Sequence, residues 1–480
     1  MKQAEDFGIF PLPLTLWEEF FVVDDYEHYP ANFLTRIRCQ GRVPEELFLR
    51  ALSHCEKSHP LFSACIVRQG KRLTWQKVDQ EELPVRFESL AVEPELPLVT
   101  KLNAPGKRLW RIDVREWQLD NGQWRADIVV NIHHALCDGL GAIQFISDVA
   151  KEIHDLHLGM FTEAPPEAND VQGAVDGSSV GKRRPLRDAR TDSQLLVNRG
   201  KFPQSWSEFF RNLPSYYRSV LASLRLVFTR VAALFPLDDV VALMDQPKEY
   251  LGYYKIDLTP RLSSQLRRYC RQENTTVNSL VAAELFQAIH DWKIDHGDME
   301  FQALRVVMPF NERTLADRNL PACNRVSLSP FTRKRSELAD HQKLRSSIEN
   351  GVRAVKKFKL GVNFHRGLWF CKYLLGGLKR LAKTDRIGAT CMFANVGNLH
   401  AHLGLPVKER LTQCGPFLIE DVDLIPPVRI GTSFAMTLHE FDGSTRLGIH
   451  YDSNLAQKSE FESFFQYFHE RILKRSEPQR

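Results

Sequence analysis

A strand–turn–strand–helix segment in the first third of the chain constrains its fold more than any other feature. Apolar and polar residues alternate over Leu109–Trp117, and the run Ala126–Ile132 is rich in β-branched residues, so both stretches favour strands. Asp-Asn-Gly at 120–122 favours a tight turn between them. Apolar residues at helical spacing follow over 142–153. The sequence therefore predicts a hairpin followed by a helix, with the run HHALCDG, residues 133–139, in the loop between them.

The rest of the chain alternates strand-like and helix-like runs in both halves, which predicts the α/β class. Its 480 residues suit about two to three domain lengths. A stretch rich in proline, glycine and basic residues interrupts every periodicity near the middle. We expect an N-terminal lobe at residues 1–160, a polar linker or mobile loop at 161–204, and a C-terminal lobe at 205–480, each lobe a mixed sheet flanked by helices.

The composition is typical of a globular cytoplasmic protein. Hydrophobic residues make up 43% of the chain and charged residues 26%, far from the composition of disordered chains. No run of about 20 apolar residues predicts a membrane span, and no secretory signal is visible. Nine cysteines without a CxxC pair argue against a disulfide framework and against structural zinc. The net charge of +5 weakly favours anionic ligands, and nothing specific indicates nucleic acid.

The histidines of the 133–139 run are candidates for acid–base chemistry. An alcohol or amine that attacks an acyl group must lose a proton, and an imidazole is the common acceptor at neutral pH. We assign His134 as this general base, with His133 and Asp138 organising the loop. Gly139 is expected to adopt backbone angles that other residues avoid and to let substrate approach closely, and its N–H at the helix start is a candidate oxyanion donor.

The same run resembles the HHxxxDG signature of the chloramphenicol acetyltransferase-like superfamily, which includes condensation domains, alcohol acyltransferases and wax ester synthase/diacylglycerol acyltransferases. The resemblance implies two similar lobes in a V-shaped arrangement, with a channel between them that donor thioester and acceptor enter from opposite sides. Weaker similarities continue through the second half in four stretches: 276–279, 309–313, 323–327 and 394–398. They add Asn324 and Asn395 as candidate substrate-binding residues.

The resemblance implies transfer of an acyl group from an acyl thioester, acyl-CoA rather than an acyl carrier protein, to a hydroxyl acceptor such as a lipid or long-chain alcohol. It implies no metal and no permanently bound cofactor. No DFGWG motif is present, and Ala394 stands where these families usually have serine, so the branch stays open. Two alternatives remain: a free-standing condensation enzyme that uses a carrier-protein-bound acyl group, and a non-catalytic binding protein of the same fold.

Two further segments bear on partners. The stretches 206–235 and 369–383 combine aromatic and aliphatic residues with basic ones, as helices on anionic lipid do. Ordinary lobe helices with solvated charges have the same pattern. A peripheral position at the membrane is therefore one expectation, and a purely cytoplasmic position is the other.

Overall fold

The computed structural model describes most of the chain. The described ranges are 8–78, 82–102, 106–159, 191–201, 229–237, 240–374, 377–379, 387–408 and 411–476. Ten α-helices lie within them: α1 Leu16–Val23, α2 Glu45–Ser58, α3 Gly139–His157, α4 Pro260–Gln272, α5 Val277–Asp295, α6 Arg335–Leu338, α7 His341–Phe358, α8 Val362–Leu374, α9 Leu399–Leu403 and α10 Lys458–Ser476.

Sixteen strands lie in the same ranges. They are β1 Leu12–Pro13, β2 Asn32–Gln40, β3 Ala64–Gln69, β4 Arg72–Lys77, β5 Val85–Leu90, β6 Trp110–Gln118, β7 Trp124–His133, β8 Tyr253–Leu258, β9 Ala303–Asn311, β10 Val326–Lys334, β11 Cys391–Asn398, β12 Val407–Lys408, β13 Leu411–Cys414, β14 Phe417–Ile425, β15 Phe434–Phe441 and β16 Ser444–Tyr451.

Two large mixed sheets carry the fold. The first has the order β12-β13-β14-β2-β7-β6-β5, and the second has the order β10-β9-β11-β15-β16-β8. Within them β5 pairs with β6 in parallel, and β11 runs parallel to both β9 and β15. A small third sheet has the order β1-β4-β3. The predicted α/β class is confirmed, and so is the hairpin of β6 and β7 followed by α3.

The first sheet draws strands from both halves of the chain. Its strand β14 pairs with β2 in a register that sets Val422 opposite Ile37, and β12 and β13 extend the same edge. Strands β12, β13 and β14 from the second half of the chain therefore belong to the sheet that carries the HHALCDG run. The boundaries at 160 and 205 stay predictions, and of the proposed linker only 191–201 lies within the described residues.

Buried apolar side chains form two main cores. One packs α2 and α3 against the first sheet, and the other packs α4, α5, α7 and α10 against the second. The helical pattern at 206–228 lies outside the described residues. Over the part of the chain that the structure describes, no helix is long and apolar enough to cross a membrane.

Candidate active site

The HHALCDG run connects β7, a strand in the interior of the first sheet, to helix α3. His133 is the last residue of β7, and Gly139 is the first residue of α3. Asp138 is the N-cap of that helix, and its Oδ1 accepts a hydrogen bond from the Gly141 N–H at 2.8 Å. Because both flanking elements are packed into the core, the loop side chains are held at a fixed position.

A cavity of about 1270 Å³ opens at this loop between the two halves. The first half contributes His134, Asp138 and Gly139 together with apolar side chains of α1 and β2. The second half contributes residues of β10, α7, α8 and β11. Most of the exposed wall is apolar, so the cavity suits a ligand with a substantial hydrocarbon part.

The His134 ring is held by aromatic packing. It stacks on Phe21 with ring centroids 4.0 Å apart and an interplanar angle of 11°, and Phe33 meets it edge-on at 5.3 Å. Its Nδ1 is buried and has no well-aligned hydrogen-bond partner among the described residues. Because the ring lines the cavity, Nε2 is the nitrogen that a bound molecule can reach.

Burial lowers the pKa of His134 to about 4, although the Asp138 carboxylate, the backbone carbonyl of His134 itself and the Asn324 side chain act in the opposite direction. The imidazole is therefore neutral at neutral pH. A neutral imidazole with one nitrogen facing a cavity can accept a proton from a ligand.

His133 points away from the cavity into the core. Its Nδ1 accepts a hydrogen bond from the Ala135 N–H at 3.0 Å, so in the neutral ring the proton lies on Nε2. That Nε2 is 3.6 Å from Asp25 Oδ2. Although burial opposes ionisation, contact with His133 and the Ala31 N–H keeps the pKa of Asp25 below its ordinary value. The geometry fits the loop-organising role predicted for His133.

Asp138 pairs with Arg313 from the second half of the chain. The guanidinium donates from Nη1 to Oδ2 at 2.9 Å and from Nη2 to Oδ1 at 3.0 Å, and the Arg325 N–H donates to Oδ2 at 2.7 Å. Burial pushes the pKa of Asp138 up, but Arg313 and the backbone donors leave it below its ordinary value. This carboxylate is therefore ionised, and its contacts join the two halves beside His134.

Gly139 differs in one respect from its prediction. Its backbone is not among those with positive φ, so left-handed angles do not explain the glycine. A Cβ at this position would meet no atom within 4 Å, because the residue faces the cavity. No described acceptor takes its N–H, which lies at the start of a 19-residue helix. Space for a ligand is therefore the reason that remains for glycine here, and the backbone N–H is available to that ligand.

The two asparagines fall in different places. Asn324 Nδ2 donates to the His134 carbonyl at 2.8 Å and to the Ala135 carbonyl at 3.0 Å, so the second half holds the histidine loop directly. Asn395 is exposed, and its Oδ1 accepts from the Gly397 N–H. Its neighbours Ala394 and Val396 line the cavity instead, because successive side chains of a strand point to opposite faces. The structure therefore does not bring Asn395 into the site.

Sequence reasoning missed several residues of the site. Arg313 ends the PFNER stretch at 309–313 that the resemblance had singled out, so a signal for it existed. No local sequence signal identifies Asp25 or Phe21, because their roles depend on how the first helix packs. An ion pair between Asp24 and Arg429, with 2.7 Å from Nη2 to Oδ1, also lies in the cavity wall.

The second glycine of the loop region, Gly141, was not singled out from the sequence either. A Cβ there would lie 2.9 Å from the Cys323 carbonyl oxygen and 3.0 Å from Cys137 Cβ. Both are closer than normal contact distances. Helix α3 therefore approaches the 323–327 stretch as closely as a glycine permits.

We predict that Gly141→Ala destabilises the protein by about 1–3 kcal/mol, because the added methyl group pushes apart two well-packed backbones. Gly139→Ala is the matched control: its methyl group meets open space and alanine favours helix, so stability should stay the same or rise. Urea unfolding of both variants measures the difference. Equal stability of the two would contradict the close-packing explanation.

Among the described residues, no group of three or more His, Cys, Asp or Glu side chains is placed to hold a metal ion. The nine cysteines are unpaired with one another, and burial raises the pKa of the Cys137 thiol far above its ordinary value. A protonated, buried thiol is a poor nucleophile. Cys137 is therefore a poor candidate for a nucleophile, and the loop offers an imidazole and hydrogen-bond donors.

Comparison with protein-family models finds no match, and neither does comparison with curated protein sequences. Solved structures match over nearly the whole chain. An epimerization domain from the third module of tyrocidine synthetase B is 15% identical, with 97% of each chain covered and a TM-score of 0.63. Trichothecene 15-O-acetyltransferase from Fusarium sporotrichioides is 12% identical, with 97% of this chain and 95% of the other covered and a TM-score of 0.62.

A mutant of the starter condensation domain of rhizomide synthetase, in complex with C8-CoA and Leu-SNAC, is 11% identical. The match covers 97% of this chain and 94% of the other, with a TM-score of 0.62. The fold implied by the HHxxxDG resemblance is thus confirmed: this chain has the fold of condensation domains and of the trichothecene acetyltransferase. At these identities the likeness establishes the fold alone.

Proposed function

We propose that this protein is an acyltransferase that moves an acyl group from an acyl thioester to a hydroxyl acceptor, with His134 as the general base. The observation that carries this proposal is the placement of the His134 ring. Its Nδ1 is buried, its Nε2 faces a mostly apolar cavity lined by both halves of the chain, and burial keeps it neutral. Such an imidazole is suited to take a proton from an attacking hydroxyl group.

In the proposed reaction, the acceptor oxygen bonds to the carbonyl carbon of the thioester while its proton passes to His134 Nε2. The carbonyl electron pair moves onto oxygen and gives a tetrahedral oxyanion. The Gly139 N–H, at the positive end of the α3 dipole, is our candidate donor to that oxyanion. Collapse breaks the carbon–sulfur bond, and the thiolate takes the proton back from the imidazolium, which leaves an ester and a free thiol.

Asp138 and His133 act in this proposal as positioning residues. Asp138 is occupied by Arg313 and two backbone N–H groups, so its charge fixes the loop rather than the substrate. His133 is fully buried beside Asp25. Asn324 holds the backbone of His134 and is a positioning residue of the same kind, while Asn395 is dropped from the substrate-binding set.

Coenzyme A is our proposed carrier of the donor. A solved structure of the same fold, the rhizomide synthetase starter condensation domain, is in complex with C8-CoA, so this fold accommodates an acyl chain on CoA. The apolar wall of the cavity favours a long-chain alcohol or a lipid as acceptor. A carrier-protein donor and an amine acceptor remain the alternatives that the first experiment separates.

That experiment measures thiol release from acyl-CoA and from carrier-protein-bound acyl groups, each with a panel of alcohols and amines. Release that depends on an alcohol and on acyl-CoA supports the proposal. Release only from a carrier-protein-bound acyl group would favour a free-standing condensation enzyme, and release only with an amine would mean that the product is an amide. No release with any pair would leave a binding protein of the same fold.

The low pKa of His134 predicts an unusual pH profile. A general base works in its deprotonated form, and a pKa lowered from 6.5 to about 4 keeps it deprotonated down to mildly acidic pH. We expect kcat/KM to stay level as the pH falls through 6.5 and to decline only near 4. Initial rates across this range, with circular dichroism to confirm folding at each pH, test it. A half-maximal rate near pH 6.5 would contradict the buried-base assignment.

A further inference from the structure

Helix α8 exposes aromatic side chains of a kind that the rest of the protein buries. Trp369, Phe370 and Tyr373 are 52%, 47% and 58% exposed, and they are the exposed aromatic residues of the described part of the chain. Spread singly, such residues would need no explanation. Three within five residues of one helix indicate a contact surface.

The opposite face of α8 lines the large cavity. Phe364, Leu368 and Cys371 all form part of its wall, at the helical spacing of four and three residues. Leu368 is almost completely buried. The helix therefore separates the candidate active site from the exposed aromatic surface by its own width.

The chain around this surface is strongly basic. Residues 351–374, from the last two turns of α7 through α8, contain six lysine or arginine residues and no aspartate or glutamate. This stretch alone carries more positive charge than the formal net charge of +5 for the whole protein. Lys356, Lys357 and Lys359, at the end of α7, are exposed, as is Arg366 on α8.

We propose that α8 and the basic end of α7 dock this protein on the surface of an anionic lipid bilayer. Aromatic rings prefer the headgroup level of a bilayer, where the apolar ring leaves water while polar edges stay hydrated. The exposed lysines that precede α8 in the chain are attracted to anionic headgroups. Arg353 is paired with Glu349 and Lys372 with Glu19, whereas Lys356 and Lys357 are exposed. The positive charge that this stretch adds to the surface is complementary to an anionic bilayer. Resting on the proposed function, the same placement lets an acceptor with a long hydrocarbon chain pass from the bilayer into the cavity behind α8.

The test is sedimentation of the full-length protein with vesicles of phosphatidylcholine, with and without phosphatidylglycerol. We expect binding to the anionic vesicles that weakens as salt is added. Lys356→Glu with Lys357→Glu should weaken it by about 25-fold or more, since each basic residue near an anionic surface contributes about fivefold. The triple change Trp369→Ser, Phe370→Ser and Tyr373→Ser should weaken it by at least about tenfold.

Two control variants lie on exposed positions elsewhere. Arg68→Glu with Lys71→Glu makes the same change of charge at the end of β3 and in the turn that follows it. Val92→Ser removes an apolar side chain that is 72% exposed. Both should bind vesicles like the wild type. Equal binding of the wild type to neutral and anionic vesicles, or unchanged affinity in the α7 and α8 variants, would overturn the docking proposal.

Acyl transfer from soluble acyl-CoA to a short, water-soluble alcohol separates docking from catalysis. The α7 and α8 variants should keep wild-type rates in this assay and lose rate only with a vesicle-borne long-chain alcohol. Failure of wild-type transfer with vesicle binding intact would refute the proposed function and leave docking standing. Wild-type transfer without vesicle binding would refute docking and leave the function standing.

Discussion

Replacing His134 with alanine should reduce the rate of acyl transfer by roughly 10²- to 10⁴-fold, the usual contribution of a general base. The change removes the only imidazole among the described residues that line the cavity, and neither Asp138 nor His133 is free to replace it. The loop itself is held by Asp138, Arg313 and Asn324, so the variant should remain folded. Thiol release in the presence of the preferred alcohol measures the effect.

His402→Ala is the matched control for this substitution. Burial also lowers the pKa of His402, but the residue lies on α9 and does not line the cavity. It should keep the wild-type rate. Thermal unfolding of both variants confirms that any loss is catalytic. A His134→Ala enzyme with the wild-type rate, or an equal loss in His402→Ala, would contradict the general-base assignment.

Much of the fold was predictable from the sequence because its elements have strong local signals. Strand β7 is rich in β-branched residues, Asp138 and Thr276 are caps that begin helices, and Asp-Gly at 442–443 marks the last hairpin. Each of these depends on a few neighbouring residues. The pairing of β14 with β2 across nearly 400 residues was not predictable, since an alternating strand does not specify its partner.

The residues of the candidate site likewise include some that a local motif predicts and some that depend on tertiary packing. His134 and Asp138 were identified because one short motif holds them both, and Asn324 because it lies in a similar stretch. The stacking of Phe21 on His134 and the placement of Asp25 beside His133 depend on where α1 packs, which no local pattern specifies. Asn395 was predicted to bind substrate, but it lies between two residues that line the cavity. Strand alternation turns its side chain away from the cavity.

The ion pair between Asp138 and Arg313 carries the prediction with the largest effect on stability. The two side chains are only 5% and 17% exposed, and both bonds of the pair are close to 3 Å. Removing one partner leaves a charge with little access to water, which costs about 3–5 kcal/mol. We therefore expect Arg313→Gln to lower the free energy of unfolding by that amount in urea denaturation. Arg86→Ala, which breaks an exposed pair with Glu88, should cost less than about 1 kcal/mol.

The double variant Asp138→Asn with Arg313→Gln separates loss of the pair from the cost of a stranded charge. With no unpaired charge left, the double variant should be less destabilised than the sum of the two single variants by about 1–3 kcal/mol.

The pH dependence of the free energy of unfolding gives a second measurement. The folded-state pKa of Asp138 lies below its ordinary value of 3.8, so its contribution is complete above that pH and is lost as the pH falls further toward the folded-state pKa. The wild type and Asp138→Asn should converge in stability only in that acidic range. Strict additivity together with an unchanged pH dependence would mean that the two halves of the protein are joined beside His134 by packing rather than by this ion pair.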